Sequence, residues 1–295
     1  MREGAHASGS SGVMRVKGLW ALTHPGPSLV TALAYAIFAL LAARGHPDPV
    51  TLTVTVIGMI ALQFAISAFN DYRDRYADAL SHKFKPVALG VLSPRAALVA
   101  TAFFTVVMVA CYAPFGLGPL LIAGSFLILG FAYDLGLKST PLGAVMMGLA
   151  FPLLPLLAWD LFASVKPALY WTFPIGLAIG ASIHIADALP DAVVDQAAGA
   201  HGLTHALGRF AFGAGWLLLA TASLLVVALA VAGMTPSRPA VLFVTVPLSL
   251  MSPLAAAVLL QRRDQSERQR LRANFALTVA TALVIAVGWI ASAVM

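Results

Sequence analysis

The chain has 295 residues, of which 60% are apolar and 10% are Asp, Glu, Lys or Arg, against about 25% charged residues in a soluble domain. With a mean hydropathy of +0.89, this composition excludes a disordered protein, a coiled coil and an ordinary soluble enzyme. The net charge of +6, in so apolar a chain, reads as a determinant of membrane topology and not as a nucleic-acid surface.

The first dozen residues, Met1 to Gly12, are rich in Gly, Ser and Ala. They lack an apolar core of the signal-peptide kind, so residues 1–14 are read as a disordered tail before a membrane domain of residues 15–295. Val13 to Leu22 mixes Arg15, Lys17 and Trp20 with apolar residues, which suits a segment on the membrane surface. Nine apolar runs follow, at about 27–44, 51–69, 96–113, 117–134, 141–159, 169–188, 210–232, 239–260 and 273–294. The expected fold is all-α and polytopic, with nine transmembrane helices; the alternating ten-residue segments of a β-barrel are absent. Pro47, Pro94, Pro114, Pro141, Pro167 and Pro236 punctuate the span ends. Pro152, Pro155, Pro174, Pro190, Pro247 and Pro253 fall inside spans and predict kinks or breaks. The lone cysteine, Cys111, lies in an apolar run and is read as a packing residue.

Lys and Arg give the orientation. With the N-terminus cytoplasmic, the inner face carries Arg2, Arg15, Lys17, Arg73, Arg75, Lys83, Lys85, Arg95, Lys138, Arg209, Arg262, Arg263, Arg268, Arg270 and Arg272. The outer face then carries only Arg44, Lys166 and Arg238. That asymmetry predicts the N-terminus inside and the C-terminus outside, in the plasma membrane of a prokaryote, with the active site facing the cytoplasm.

Of the 12 acidic residues, six form two groups: Asp71, Asp74 and Asp78, then Asp187, Asp191 and Asp195. Each group ends an apolar span. A carboxylate near the middle of a membrane helix costs about 2.5–3.5 kcal/mol on insertion scales, so six at span ends call for a cationic partner. On a helix, Asn70, Asp71, Asp74 and Asp78 share an arc of roughly 80–100°, and Asp187, Asp191 and Asp195 an arc of about 80°. Such stripes of like charge repel. Mg²⁺ suits them: it takes oxygen ligands, keeps several waters and bridges carboxylates to phosphates. His184 lies on the arc of Asp187 and Asp191, as a residue beside the substrate or as a buried, hydrogen-bonded histidine. His201 and His205 are read as a solvated pair at a helix end.

These residues resemble the UbiA superfamily of intramembrane prenyltransferases. Asn70-Asp71-Tyr72-Arg73-Asp74-Arg75-Tyr76-Ala77-Asp78 matches its first signature, NDxxDxxxD, and Asp187 to Asp195 matches its second, DxxxDxxxD. Gly199 to Thr204, Lys85-Pro86, Gly90 to Pro94, Tyr133 to Lys138 and Thr140 to Gly143 resemble the segments that link and follow them. His24-Pro25 stands where many members carry Arg-Pro, and Pro190 where many have a basic residue; with Ala186 and His184 these mark a divergent branch. The resemblance implies nine helices around a central cavity. It implies Mg²⁺ and the diphosphate of a polyprenyl donor held by the two Asp-rich ends, and a small-molecule acceptor, usually aromatic.

On that reading Asp71, Asp74, Asp78, Asp187, Asp191 and Asp195 are the metal ligands. Asp71, Asp74, Asp191, Asp195 and Lys138 carry the chemistry. Asn70, Arg75, Asp78, Lys85, Tyr133, His184, Asp187 and Arg209 contact substrate, Arg75 by orienting carboxylates. Phe69, Tyr72, Phe131 and Tyr133 would wall an allylic cation. A phosphoribosyltransferase acting on polyprenyl phosphate, a membrane terpene cyclase and a cation-coupled transporter are the alternative readings; a transporter would set its charges nearer the midplane.

Overall fold

The structure is a computed structural model and describes residues 4–79, 84–192, 202–234, 239–262 and 264–294. Lys83, His201 and Asp195 lie outside the described residues. Among those described there is no strand, and nine helical segments are long and apolar enough to cross a membrane. This is the all-α, multi-pass architecture the apolar runs predict. Large apolar side chains such as Phe243, Leu254, Leu217 and Phe103 are exposed on these helices, as lipid-facing positions are. Two compact units divide the chain: residues 1–37 with 47–135, and residues 38–46 with 136–295.

The first unit is built on α1 (Gly4–Leu22), most of α2 (Pro25–Ala42), α3 (Pro49–Asp78), α4 (Pro94–Tyr112) and α5 (Leu117–Asp134). The helix α1 begins within the stretch read as a tail, at Gly4. Asp48 caps α3 by accepting from the Thr51 amide, with Pro49 opening the first turn. That backbone hydrogen bond holds the exposed Asp48 carboxyl below its usual range. The run of 51–69 ends where its apolar residues end, but the helix does not: α3 continues through Asn70 to Asp78. Hydropathy marks where lipid stops, whereas backbone hydrogen bonding continues with good helix formers such as Arg75 and Ala77. Leu22, Ala68, Val87, Leu92 and Ala97 form one buried cluster with Tyr72 against it. It clamps the turn of residues 85–92 onto α1 and α3. Gly18 lets α1 approach that turn closely: a Cβ there would sit 2.9 Å from Val91 Cγ1.

The second unit holds the end of α2, α6 (Leu142–Ala150), α7 (Leu153–Phe162), α8 (Thr172–Ala188), a short α9 (Leu203–Leu207), α10 (Ala211–Val231), α11 (Leu242–Leu260) and α12 (Glu267–Ala293). Pro152 stands at the break between α6 and α7, as expected. Pro247 and Pro253 instead lie within a continuous α11. Gly176 and Gly180, four apart on α8, bring its backbone onto α6: a Cβ at Gly180 would lie 2.3 Å from the Gly148 nitrogen. Such small-residue contacts are how helices pack when lipid supplies no hydrophobic drive. The last helix starts at Glu267 and not near 273, because Ser266 and Gln269 close a capping box in a polar stretch that hydropathy does not register.

Candidate active site

The first acidic group sits at the end of α3, already surrounded by partners. Asp71 is 1% exposed. Its Oδ1 lies 2.7 Å from Lys85 Nζ and 2.8 Å from His24 Nε2, and Lys85 Nζ and His24 Nε2 are 3.1 Å apart. Lys85 also lies 3.6 Å from Asp78 Oδ2. Burial by itself would lower the Lys85 ammonium; Asp71, with Asp78 and Asp74 behind it, offsets this and holds it above its usual range. Asp71 Oδ2 is buried with no hydrogen-bond partner among the described residues. A buried carboxylate oxygen in that state calls for a partner beyond the described residues.

Two steps of chain geometry build this cage. The clamped turn of residues 85–92, whose Lys85 carbonyl accepts from the Leu89 amide and whose Pro86 carbonyl accepts from Leu92, returns Lys85 to α3. His24 lies between α1 and α2 with φ of +42°, a left-handed conformation uncommon for a residue with a Cβ. That twist aims the imidazole at Asp71. His24 belongs to the cage around Asp71, although the sequence marks it only by its place before Pro25.

Asn70 performs the second act of assembly. Its Nδ2 donates to Asp74 Oδ2 at 3.0 Å and to Asp134 Oδ1 at 2.6 Å. A neutral amide thus bridges two carboxylates that would otherwise repel. Asp134, 3% exposed at the end of α5, is a member that the motif spacing does not reveal; its neighbour Tyr133, also on α5, is half-buried. Phe69 packs on Phe131 with centroids 4.7 Å apart and lies 6.4 Å from Tyr72, so these three expected wall residues are contiguous. Arg75 departs from expectation. It donates to the Tyr72 carbonyl at 2.6 Å and lies over the rings of Tyr72 and Tyr76, 4.6 and 4.3 Å from their centroids. The aromatic faces flanking it on the helix offer the guanidinium a closer partner than the carboxylates.

The second acidic group is more open. Of its expected stripe, Asp187 and Asp191 do not share one α-helix, because α8 ends at Ala188 and Pro190 tightens Leu189–Asp191 into a 3-10 turn. Asp187 is exposed. Asp191, 25% exposed at its side chain, accepts from Arg268 Nη2 at 2.7 Å. Arg268 opens α12 and is a partner that only the fold reveals. Near this end, His184 is 3% exposed, and a Cβ on Gly143 would meet its Cε1 at 2.9 Å and Lys138 Cα at 2.9 Å. Gly202 lies against the Lys138 carbonyl in the same way, at 3.4 Å, and His205 Nε2 lies 2.9 Å from the carbonyl oxygen of Ala192. The segment of Lys138 to Gly143, the end of α8 and the start of α9 therefore converge in this unit. Arg209 is exposed and stacks on Phe210, 4.7 Å from its centroid.

Among the described residues no three His, Cys, Asp or Glu side chains close around a metal position. That arrangement is compatible with Mg²⁺, which is commonly held by one or two carboxylates together with waters and substrate phosphate.

The profile of the UbiA prenyltransferase family matches residues 28–279. The 4-hydroxybenzoate octaprenyltransferase of Vibrio atlanticus is 29% identical over 164 residues, 53% of this chain and 57% of that protein. Protoheme IX farnesyltransferase of Tropheryma whipplei is 30% identical over 168 residues, 55% of each. The chain thus spans about half the length of these curated relatives. The solved structure of a UbiA homologue from Archaeoglobus fulgidus bound to GPP and Mg²⁺ superposes with a TM-score of 0.72, at 20% identity, over 94% of this chain and all of that one (100%). It shares the fold.

Proposed function

The chain belongs to the UbiA prenyltransferase family, and from that premise we propose that it transfers a polyprenyl group from its diphosphate to a small acceptor, an aromatic one, in a Mg²⁺-dependent reaction within the membrane. The observation that carries this reading is the buried Asp71 with one oxygen caged by Lys85 and His24 and the other without a hydrogen-bond partner among the described residues.

In this reading Asp71, Asp74 and Asp78 hold Mg²⁺ at the end of α3, and Asp187, Asp191 and Asp195 do so in the second segment. When bound, the metal neutralises the diphosphate and so favours its departure from the allylic carbon. The chain's own residues supply the rest. Lys85 and His24 keep Asp71 ionised and fixed in direction. Asn70 holds Asp74 against Asp134, which lets two carboxylates stand close without mutual repulsion. Arg268 anchors Asp191, and its remaining donors can reach phosphate oxygens. Lys138 adds a positive charge to the diphosphate, Arg209 a second one, and His184 borders the substrate. Phe69, Phe131, Tyr72 and Tyr133 exclude water from the cation and offer it aromatic faces. Arg75, lying on Tyr72 and Tyr76, acts by fixing those rings. The active site faces the cytoplasm, with the N-terminus inside and the C-terminus outside.

The test uses purified protein in detergent with Mg²⁺ and a panel of polyprenyl diphosphates, with and without 4-hydroxybenzoate and related phenols, the products being identified by mass. A prenylated phenol formed only with Mg²⁺ is the expected result. Release of a cyclised hydrocarbon without acceptor makes the chain a cyclase. In a parallel incubation with a polyprenyl phosphate and a phosphoribosyl diphosphate, consumption of both makes it a phosphoribosyltransferase. Either of these overturns the proposal.

A further inference from the structure

At the end of the second unit opposite Asp187 and Asp191, a cavity of about 210 Å³ is lined by Leu41, Arg44, Trp159, Ser164, Lys166 and Val294, among others. It lies a full span away from the acidic residues, since Lys166 precedes and Asp191 ends the segment Pro167–Asp191. Tyr170 and Trp171 are exposed just beyond Lys166, and aromatic residues of this kind mark the depth of lipid headgroups.

Two cations share this cavity, and no acidic side chain is among its described lining residues. Lys166 Nζ donates to the Val294 carbonyl at the end of α12, which takes one of its three hydrogens and aims the ammonium. Arg44 follows α2 in a left-handed conformation, with φ of +53°, and Gly45 follows with φ of +85°. The helix end needs no help from the Arg44 side chain. Gly45 N donates to the Leu40 carbonyl at 2.8 Å, Arg44 N to the Leu41 carbonyl at 3.1 Å, and Ala163 N to the Trp159 carbonyl at 3.0 Å at the end of α7. The backbone thus caps these carbonyls itself, and none of the hydrogen bonds and ion pairs of the described residues involves the Arg44 guanidinium. Two positive charges in a small recess with an apolar wall repel each other, and an anion between them removes that cost. The guanidinium fork matches two phosphate oxygens, and Lys adds a point charge. The volume is several times a water molecule's share of about 30 Å³, enough for a phosphate group.

We propose that this cavity binds a phosphate oxyanion, through Arg44 and Lys166, at the end of the second unit remote from Asp187 and Asp191. The phosphate of an anionic lipid and free inorganic phosphate share that chemistry.

Native mass spectrometry of the intact chain in detergent distinguishes the sources. The probes are a short-chain phosphatidylglycerol, the matching phosphatidylcholine and inorganic phosphate. The expected result is retention of phosphatidylglycerol, weakened about tenfold or more in Arg44→Gln and in Lys166→Gln, as the loss of a charge-assisted hydrogen bond implies. Arg95→Gln, an exposed residue on α4, should bind as the unaltered chain does. Retention of inorganic phosphate with the same dependence on both residues also supports the site and assigns it to a free anion. Phosphatidylcholine retained equally and without dependence on Arg44 and Lys166, or phosphatidylglycerol binding untouched by Arg44→Gln, overturns the proposal. Arg44 is exposed and its helix is capped by backbone, so that variant keeps the fold even where Lys166→Gln loosens the end of α12.

Discussion

The two acidic segments carry the same kind of motif in opposite states. At the end of α3, Asp71 is 1% exposed and meets a lysine and a histidine from two other segments. At the end of α8, Asp187 is exposed, and just after it Asp191 meets Arg268, itself 42% exposed. The helix explains part of the contrast: α3 carries its acids on unbroken backbone, while Pro190 ends regular helix inside the second motif. The contacts explain the rest. The first segment is assembled in advance, with a cation already paired to its central carboxylate. In the second, Asp191 is held by a half-exposed arginine and Asp187 lies exposed at the end of its helix. Identical residue types therefore stand buried at one end and open to solvent at the other.

The largest expected effect comes from Asp71→Asn. Turnover should fall by about 10²–10³-fold, the usual scale for losing a central electrostatic group, and the thermal midpoint should fall as well, because Lys85 is then buried without its counter-charge. Adding Lys85→Met should restore the midpoint and leave turnover lost. A midpoint that stays low in the double variant would break the claim that the ion pair makes this end costly to alter.

Next is Asp191→Asn, with a loss of turnover of about 10²-fold and no change in midpoint, since pairs this exposed contribute little to stability. Scanning calorimetry of both variants makes the comparison directly; a drop equal to that of Asp71→Asn would erase the contrast. The variant with both changes tells whether the segments act on one substrate molecule: a loss little greater than either single change is expected for groups that work as a unit.

Gly180→Val addresses positioning. A Cβ would lie 2.3 Å from the Gly148 nitrogen, so α8 must shift from α6, at a cost of about 1–3 kcal/mol for overpacking. Substrate KM should rise, while Mg²⁺-independent features of the α3 end, such as the midpoint gain conferred by the Lys85–Asp71 pair, should persist. The smallest effect is expected from Arg268→Gln: KM for the diphosphate up by about two- to fivefold, the scale of a half-exposed ion pair, with kcat retained. A collapse of kcat would place Arg268 among the groups that touch the reacting atoms.

Much of this protein is written locally. Nine runs of apolar residues near the length of a bilayer can only be satisfied as helices, because lipid offers no partners to backbone amides. The two acid motifs stand out because carboxylates are rare in so apolar a chain and their spacing is regular. Those signals depend on residues close in sequence, so a sequence reading captures them. What the tertiary structure decided is which groups meet. His24 and Lys85 reach Asp71 from 47 and 14 residues away, Asp134 reaches Asn70 from 64, and Arg268 reaches Asp191 from 77. No period in the chain encodes these pairs. Arg75 shows the same limit in reverse: its helical arc points toward carboxylates, yet the neighbouring tyrosine faces compete for it and win. Helix ends behaved likewise, for α3 and α12 both extend into polar sequence where caps and hydrogen bonds, invisible to hydropathy, set the boundary. Local chemistry determines that there are helices and acids at their ends; only packing, which brings distant segments within about 3 Å of one another, determines which acid is caged and which stays open.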